Sequence, residues 1–356
     1  MPGTSTVLST GKTVSIALPP PHDDFSKLVV QKFSELDADS DGFVSKDEVN
    51  RALQDPKFTG DEAAMIATLK AVLGDLEELA DDEAGWENDG VTLADVTAYD
   101  RLREAEPKNK MIVRVQNRFQ HAKAKIAARS NNLFDGDPDV MNIRQGSIGN
   151  CWFLVAIVAI GLRDKAEIRN LVKAGKGKDE FVVNFPGVED EITVSKPTDA
   201  ELAIFALSNG LWLPLLEKSY GAAVNRDALF FVDSSDIDAV DGGGFIGKGI
   251  EIMTGNSTDT DFLSGTLEST TREKVEAAIA NKKIMTAGVR KNFFGESQRE
   301  NGLPMGHAYT VMGYDASKDT LSLRNPWGHK GLSFGEVFEQ SLTEFDSNFS
   351  LIAYEE

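Results

Sequence analysis

The chain has a single cysteine, Cys151, set in Gln145-Gly146-Ser147-Ile148-Gly149-Asn150-Cys151-Trp152-Phe153-Leu154. A lone thiol cannot be half of an internal disulfide. It opens an apolar run of the kind that forms a buried helix, and a thiol in the first turn of a helix sees the positive end of the macrodipole, which favours the nucleophilic thiolate. Taken alone, a free cysteine is more often a small buried hydrophobe. Two later segments change that reading. Of the four histidines, His22 and His121 fall in stretches with the texture of a tail and a linker, leaving His307 and His329. His307 enters the strand-like run His307–Tyr314, and a second run, Thr320–Arg324, leads into Asn325-Pro326-Trp327-Gly328. Paired as an antiparallel hairpin turning about Ala316, these runs place His307 opposite Asn325.

A cysteine, an imidazole and a carboxamide together can perform acyl-transfer chemistry. The imidazole takes the thiol proton and later returns it to the leaving amine, while the amide oxygen fixes the ring's tautomer and rotamer. A donor for the developing oxyanion is also needed, and Gln145, six residues before the thiol, carries a side-chain N–H for that task. Trp327 is placed to cover the His–Asn hydrogen bond and keep water from it. The candidate catalytic set is therefore Cys151, His307, Asn325, Gln145 and Trp327.

The segments that must position these residues divide the chain. Residues 1–22 are rich in Ser, Thr and Gly and end in three prolines, so they read as a flexible tail. Residues 23–106 have helical periodicity throughout. Residues 107–132 carry seven basic and no acidic side chains and read as an amphipathic linker helix. From 133 to 241 the pattern is helical apart from a short strand near Phe181–Phe185. After Gly242-Gly243-Gly244 strand-type segments dominate to 356, including Ile284–Val289. The expected class is α+β: a helical lobe and a β-rich lobe hinged at the glycines, preceded by an all-α module.

Within that module, Asp37-Ala38-Asp39-Ser40-Asp41-Gly42-Phe43-Val44-Ser45-Lys46-Asp47-Glu48 fits the twelve-residue EF-hand loop. Calcium takes six to eight hard oxygens. Carboxylates of Asp37, Asp39 and Asp41, the Phe43 carbonyl, Ser45 (often through water) and a bidentate Glu48 would supply them, and Gly42 permits the sharp turn. A partner loop is expected near residues 84–95. Aligning Val91 with Val44 leaves Ala84 and Trp86 at ligand positions, whereas aligning Asp89-Gly90 with Asp41-Gly42 spoils the spacing to Asp95. A structural, non-binding second hand is the preferred reading.

Composition narrows the function. Net charge is −20, and residues 23–106 hold 23 acidic against 8 basic side chains. That balance argues against nucleic acid, whose phosphates reward basic surfaces, and suits a chain that binds cations. The apolar run Cys151–Leu162 is too short to span a bilayer, and no basic-then-apolar secretory leader is recognisable at the N-terminus. With a single cysteine, this points to a cytoplasmic protein. The basic stretch 107–132 is the sort of helix that a calcium-loaded helical module can hold, so it is expected to dock on that module.

The block order and motifs resemble the catalytic core of the calpains, papain-like calcium-dependent cysteine proteases. The match is carried by Gln145–Leu154, Leu215-Leu216-Glu217-Lys218-Ser219-Tyr220, Met253-Thr254-Gly255, Gly306-His307-Ala308-Tyr309 and Arg324-Asn325-Pro326-Trp327-Gly328. The resemblance implies a two-lobed protease core acting on protein or peptide substrates, with Cys151 as nucleophile, His307 as base, Asn325 as orienter and Gln145 in the oxyanion hole. The chain departs from the family pattern at Asn150, where calpains have Asp; at Asn142, also Asp in the family, although Asp135, Asp137 and Asp227 are nearby, so calcium in the first lobe stays open; and in the shortened 329–335 segment, so calcium is not expected in the second lobe. Two rivals stay open: a catalytically retired calpain-like fold that binds partners in response to calcium, and a cysteine-dependent acyl transferase.

Overall fold

A computed structural model describes residues 4–9, 12–17, 24–80, 90–227, 236–290, 298, 301–328 and 336–356, arranged as two units. The first comprises residues 1–131 with 197–205, the second 132–196 with 206–356. In chain order the elements are β1 (Thr4–Ser9), β2 (Lys12–Ala17), α1 (Asp24–Leu36), α2 (Lys46–Gln54), α3 (Gly60–Glu77), α4 (Leu93–Ala105), α5 (Lys110–Ala127), α6 (Cys151–Arg163), α7 (Lys165–Leu171), β3 (Val172–Ala174), β4 (Glu180–Val183), β5 (Ile192–Ser195), α8 (Asp199–Ile204), α9 (Trp212–Asp227) and α10 (Asp236–Asp241). Then follow α11 (Ile246–Thr254), β6 (Thr258–Phe262), α12 (Glu268–Ala280), β7 (Met285–Val289), β8 (His307–Asp315), β9 (Thr320–Arg324), β10 (Val337–Ser341), α13 (Leu342–Asn348) and β11 (Leu351–Glu355).

In the first unit, α1 buries Phe25, Val29, Phe33 and Leu36, a helical stripe one turn apart. Phe25 meets Tyr99 of α4 and Phe119 of α5 edge-on. The loops after α1 and before α4 pair through a two-residue antiparallel bridge: Val44 N–H donates to Val91 O, and Val91 N–H to Val44 O. Both loops end in the same device. Ser45 caps α2 with Glu48 reaching back, and Thr92 caps α4 with Asp95 reaching back. The bridge selects the register that aligns Val91 with Val44; positions 81–89, which include Ala84 and Trp86, lie outside the described residues. Gly90 is required at this crossing, because its φ is 145° and a Cβ would stand 2.4 Å from Val44 O.

One sequence expectation changes here. The segment taken as a tail carries β1 and β2, paired antiparallel from Thr4↔Ala17 to Ser9↔Lys12; its Thr, Val and Ile alternation outweighs its Ser/Gly content. The basic segment 107–132 forms a helix that packs within the first unit. Its α5 lies against α3, burying Ile112, Val115, Phe119, Ala122 and Ile126, with Lys123 bonded to Asp61 and Arg114 to Asp75. The apolar stripe of α5 is too long to leave in water, so it joins the core.

The helix α8, drawn from between β5 and α9, completes this unit. Lys125 of α5, 4 % exposed, donates from Nζ to the carbonyls of Ala203 and Phe205 at 2.8 and 2.5 Å. Arg129 pairs with Asp199, and Asp199 also accepts the Gly60 N–H at the start of α3.

In the second unit a sheet ordered β10-β9-β8-β7-β11-β6 runs antiparallel. Met285, Ala287 and Val289 of β7 face α12 and α13, where they join Val275, Leu342 and Phe345 in one core. The alternate positions of β7 face α11: Thr286 bonds the Ile246 carbonyl, and Gly288 lies near Ile246. Helix α6 covers the same side, with Thr310 of β8 bonding the Val155 carbonyl. With both faces covered, β7 and β11 are buried along their whole length. Helix α11 lies beyond the glycines yet packs on α6, and Gly249 makes this fit, since a Cβ there would be 2.7 Å from Trp152 O. Among the described residues no helix is long and apolar enough to cross a membrane.

Replacing Lys125 by Met keeps the apolar stem and removes two charge-assisted bonds, leaving two buried carbonyls unmatched. We expect a loss of about 3 kcal/mol in urea unfolding of the first unit. An unchanged midpoint would show that those bonds contribute nothing net.

Candidate active site

The nucleophile candidate owes its position to α6. Asn150 is the residue before the helix, and the Phe153 and Leu154 N–H groups bond its carbonyl, so Cys151 is the first helical residue. Almost every residue of α6 from Trp152 to Gly161 is buried, which fixes the helix in rotation. The thiol is not itself fully covered. The Ala308 N–H of β8 faces the sulfur, as do the N–H groups of Cys151 and Trp152. This places the thiol against the start of β8, the strand whose first residue is His307.

His307 is 6 % exposed, and its Nε2 lies 2.9 Å from Asn325 Oδ1. The same oxygen accepts the Trp327 N–H at 2.9 Å. Two donors on one atom fix the orientation of the amide, so Nε2 must carry the ring proton and Nδ1 is left as the base. The Trp327 indole lies over the imidazole, 4.3 Å between ring centres, and Tyr309 meets the ring edge-on.

The hairpin register differs from the sequence expectation. The turn follows Asp315↔Thr320 rather than centring on Ala316, and an irregularity between Val311 and Gly313 shifts pairing by one residue, to Thr310↔Arg324. Asp315 sets the turn by accepting the Ser317 N–H and hydroxyl. Asn325 is therefore displaced by two positions from the residue directly opposite His307. A shift of two keeps the face, because side chains alternate with period two, and the side chains still meet diagonally.

Gln145 is drawn in by main-chain bonding: its N–H donates to Pro326 O at 2.9 Å. Its Nε2 donates one hydrogen to the Ile148 carbonyl at 2.8 Å, and the second is available for an oxyanion. Beneath this junction sits a group that sequence reasoning missed. Arg144 grips Glu336 with both terminal nitrogens at 2.9 and 3.1 Å, and the fully buried Arg324 reaches the same carboxylate at 3.2 Å. Both guanidiniums also donate to the carbonyls of Met141 and Ile143. Arginine residues adjoining Gln145 and Asn325 were the available signal, but Glu336 follows an uninformative loop.

Burial dominates the electrostatics. It pushes the Cys151 thiol up, against the three N–H groups that favour the thiolate. It pushes the His307 imidazole down to about 4, against the Asn325 bond that favours the charged ring. The helix-dipole advantage expected for the thiolate is outweighed by this desolvation. Both directions favour the uncharged forms of the two groups. Arg324 is likewise lowered by burial, to about 10.

The His307 shift carries a stability consequence. An unfolded imidazole titrates near 6.5 and the folded one near 4, so unfolding takes up a proton between those values. Stability is complete above pH 6.5 and is lost as pH falls toward 4, by roughly 3 kcal/mol. A His307→Gln variant should lack this component. Thermal melts at pH 7 and pH 4.5 should show a smaller drop for the variant than for wild type, and equal drops would refute it.

A model of the calpain family of cysteine proteases matches residues 104–336. Among curated relatives the chain is 28% identical to human calpain-9 over 206 residues, and 27% identical to rat calpain-8 over the same length. It is 25% identical over 211 residues to the maize calpain-type cysteine protease DEK1. These alignments cover 52% to 56% of this chain, but 28% of the two animal calpains and 9% of the maize protein. With more than half of its length matched by the family model, the chain belongs to the calpain family of cysteine proteases.

Proposed function

We propose that the chain is a calcium-regulated cysteine endopeptidase of cytoplasmic type, cutting proteins or peptides through a thioester at Cys151. The observation that carries this reading is the doubly donated Asn325 Oδ1, which leaves His307 Nδ1 as the base in the strand against which Cys151 lies. Nδ1 accepts the thiol proton as sulfur attacks the scissile carbonyl. Gln145 Nε2 and the Cys151 N–H are the donors for the oxyanion. The imidazolium, held by Asn325, gives its proton to the leaving amine. Water then repeats the sequence on the thioester and regenerates the thiol. Trp327 shields the His–Asn bond throughout.

The calcium part rests on the loop Asp37–Glu48. Carboxylate oxygens of Asp37, Asp39 and Glu48 come within 4.8 Å of one another. An all-oxygen donor set of this kind suits calcium, so the residues fit the ion, with Asp41, the Phe43 carbonyl and Ser45 as further ligands. Gly42 at φ 96° and Ser40 at φ 64° give the loop its curvature. Glu48 is 3 % exposed; its oxygens accept the N–H groups of Ala38 and Ser45 and the Ser45 hydroxyl. Burial pushes its carboxyl up, and these donors outweigh burial to leave it below the usual range. Asp95 directs its oxygens to Ala80 and Thr92, which supports a structural second hand. Bound calcium would supply the positive charge that gathers the loop's carboxylates at the start of α2.

Casein hydrolysis separates this reading from a retired fold or an acyl transferase. Wild type should release soluble peptides, and Cys151→Ala should lose at least about 10³-fold; a wild type without hydrolysis would sink the protease assignment. Titration calorimetry with calcium should show one site, abolished in Asp37→Ala with Glu48→Ala. Heat that persists in that double variant would place calcium elsewhere.

A further inference from the structure

Asn150, next to the nucleophile, is fully buried and does not use its side chain for the usual task at its position. An asparagine before a helix ordinarily accepts an N–H from the first turn, yet no such bond is made here. Its Nδ2 instead donates to Glu217 Oε1 at 2.6 Å, and Oδ1 has no hydrogen-bond partner. Glu217, on α9, is also fully buried, and its Oε2 accepts the Ala206 N–H at 2.9 Å. A carboxylate is an acceptor only, so Oε1 faces the donor end of the Asn150 amide, which settles which way that amide points.

We propose that Glu217 is a positioning residue for catalysis, acting through Asn150 to set the turn that presents Cys151. The Phe153 and Leu154 N–H groups hang from the Asn150 carbonyl, so rotation of that residue moves the first turn of α6 and the thiol with it. The pair is complementary because it joins one carboxylate to one amide. Two carboxyls facing each other in this buried place would have to share a proton. Two amides would match the Asn150 or the Ala206 bond, but not both in the present arrangement.

The proposal rests on Cys151 being the nucleophile, and its test reads the thiol directly. Cys151 is the only cysteine, so its alkylation by iodoacetamide reports on that sulfur alone. We compare wild type, Asn150→Asp, Glu217→Gln and the double variant, following alkylation rate from pH 5 to 9 and casein hydrolysis. Asn150→Asp should slow both by about tenfold at pH 8 and add an ionisation to the alkylation profile that wild type lacks. Glu217→Gln should slow both by about threefold. In the double variant the amide and the carboxylate have exchanged places. The amide introduced on α9 can donate to the carboxylate introduced before α6 and still accept the Ala206 N–H. Rates should then return to within about twofold of wild type, and the added ionisation should vanish. A double variant no faster than the slower single variant, or an Asn150→Asp profile that overlays wild type, would overturn the proposal. If Asn150→Asp fails to fold by circular dichroism, Glu217→Gln against the double variant decides, and a rate in Glu217→Gln equal to wild type would overturn it. If wild type alkylates but does not cleave casein, the protease reading falls, and the positioning role is still judged on alkylation.

Discussion

The Glu336 carboxylate between Arg144 and Arg324 is the interaction on which the active-site region depends. It joins the segment that leads toward Cys151 to the strand end that presents Asn325, and it does so one residue from Gln145 and one from Asn325. The cost of burying these charges is offset by geometry: a two-point grip from Arg144, a third bond from one terminal nitrogen of Arg324, and further bonds from both arginines to the Met141 and Ile143 carbonyls, while Nε and the other terminal nitrogen of Arg324 are buried without a partner. The Glu336 carbonyl accepts the Asn325 N–H, and the Gln145 N–H reaches Pro326, so the clamp is continued in the main chain. Helix α6 against β8 then fixes the height of the thiol, and the hairpin fixes the imidazole.

Inside that frame burial opposes charge on both Cys151 and His307. In the proposed mechanism, proton transfer from Cys151 to His307 creates an ion pair in a poorly solvated place. The groups that oppose this penalty are already aligned: Asn325 Oδ1 toward the imidazolium, and the N–H groups of Ala308, Trp152 and Cys151 toward the sulfur. Preorganised dipoles of this kind act strongly because little water competes with them. The indole of Trp327 maintains that condition over the His–Asn bond.

The helical unit obeys a different constraint. Its two loops cannot each complete a sheet, so they complete one another through the Val44–Val91 bridge, and each uses an acidic side chain to cap the helix that follows. Its core is finished by α5 and by α8, a helix that returns from much later in the chain. The basic charge of α5 that stood out in the sequence is used against Asp61 and Asp75 on the surface of α3.

The family and the local elements were legible in the order of residues. Types and spacing marked Cys151, His307, Asn325 and Gln145, the acidic loop at 37–48, and the strands of the His–Asn hairpin, because these signals are carried by a few adjacent side chains. Reading failed where the information was distributed. The polar strand Thr258–Phe262 carries no alternation of apolar residues; it forms because it pairs with β11, while Lys274 neutralises Asp259 and Asp261. The hairpin register was set by the Asp315 turn and a one-residue irregularity, neither of which leaves a periodic trace. Folding was needed to settle that α8 belongs with the helical unit, that Glu336 closes on two arginines, that Glu217 meets Asn150, and that burial opposes charge on both Cys151 and His307. Each of these depends on which distant groups are brought together and which lose their water, and that is a property of the packed chain rather than of any segment of it.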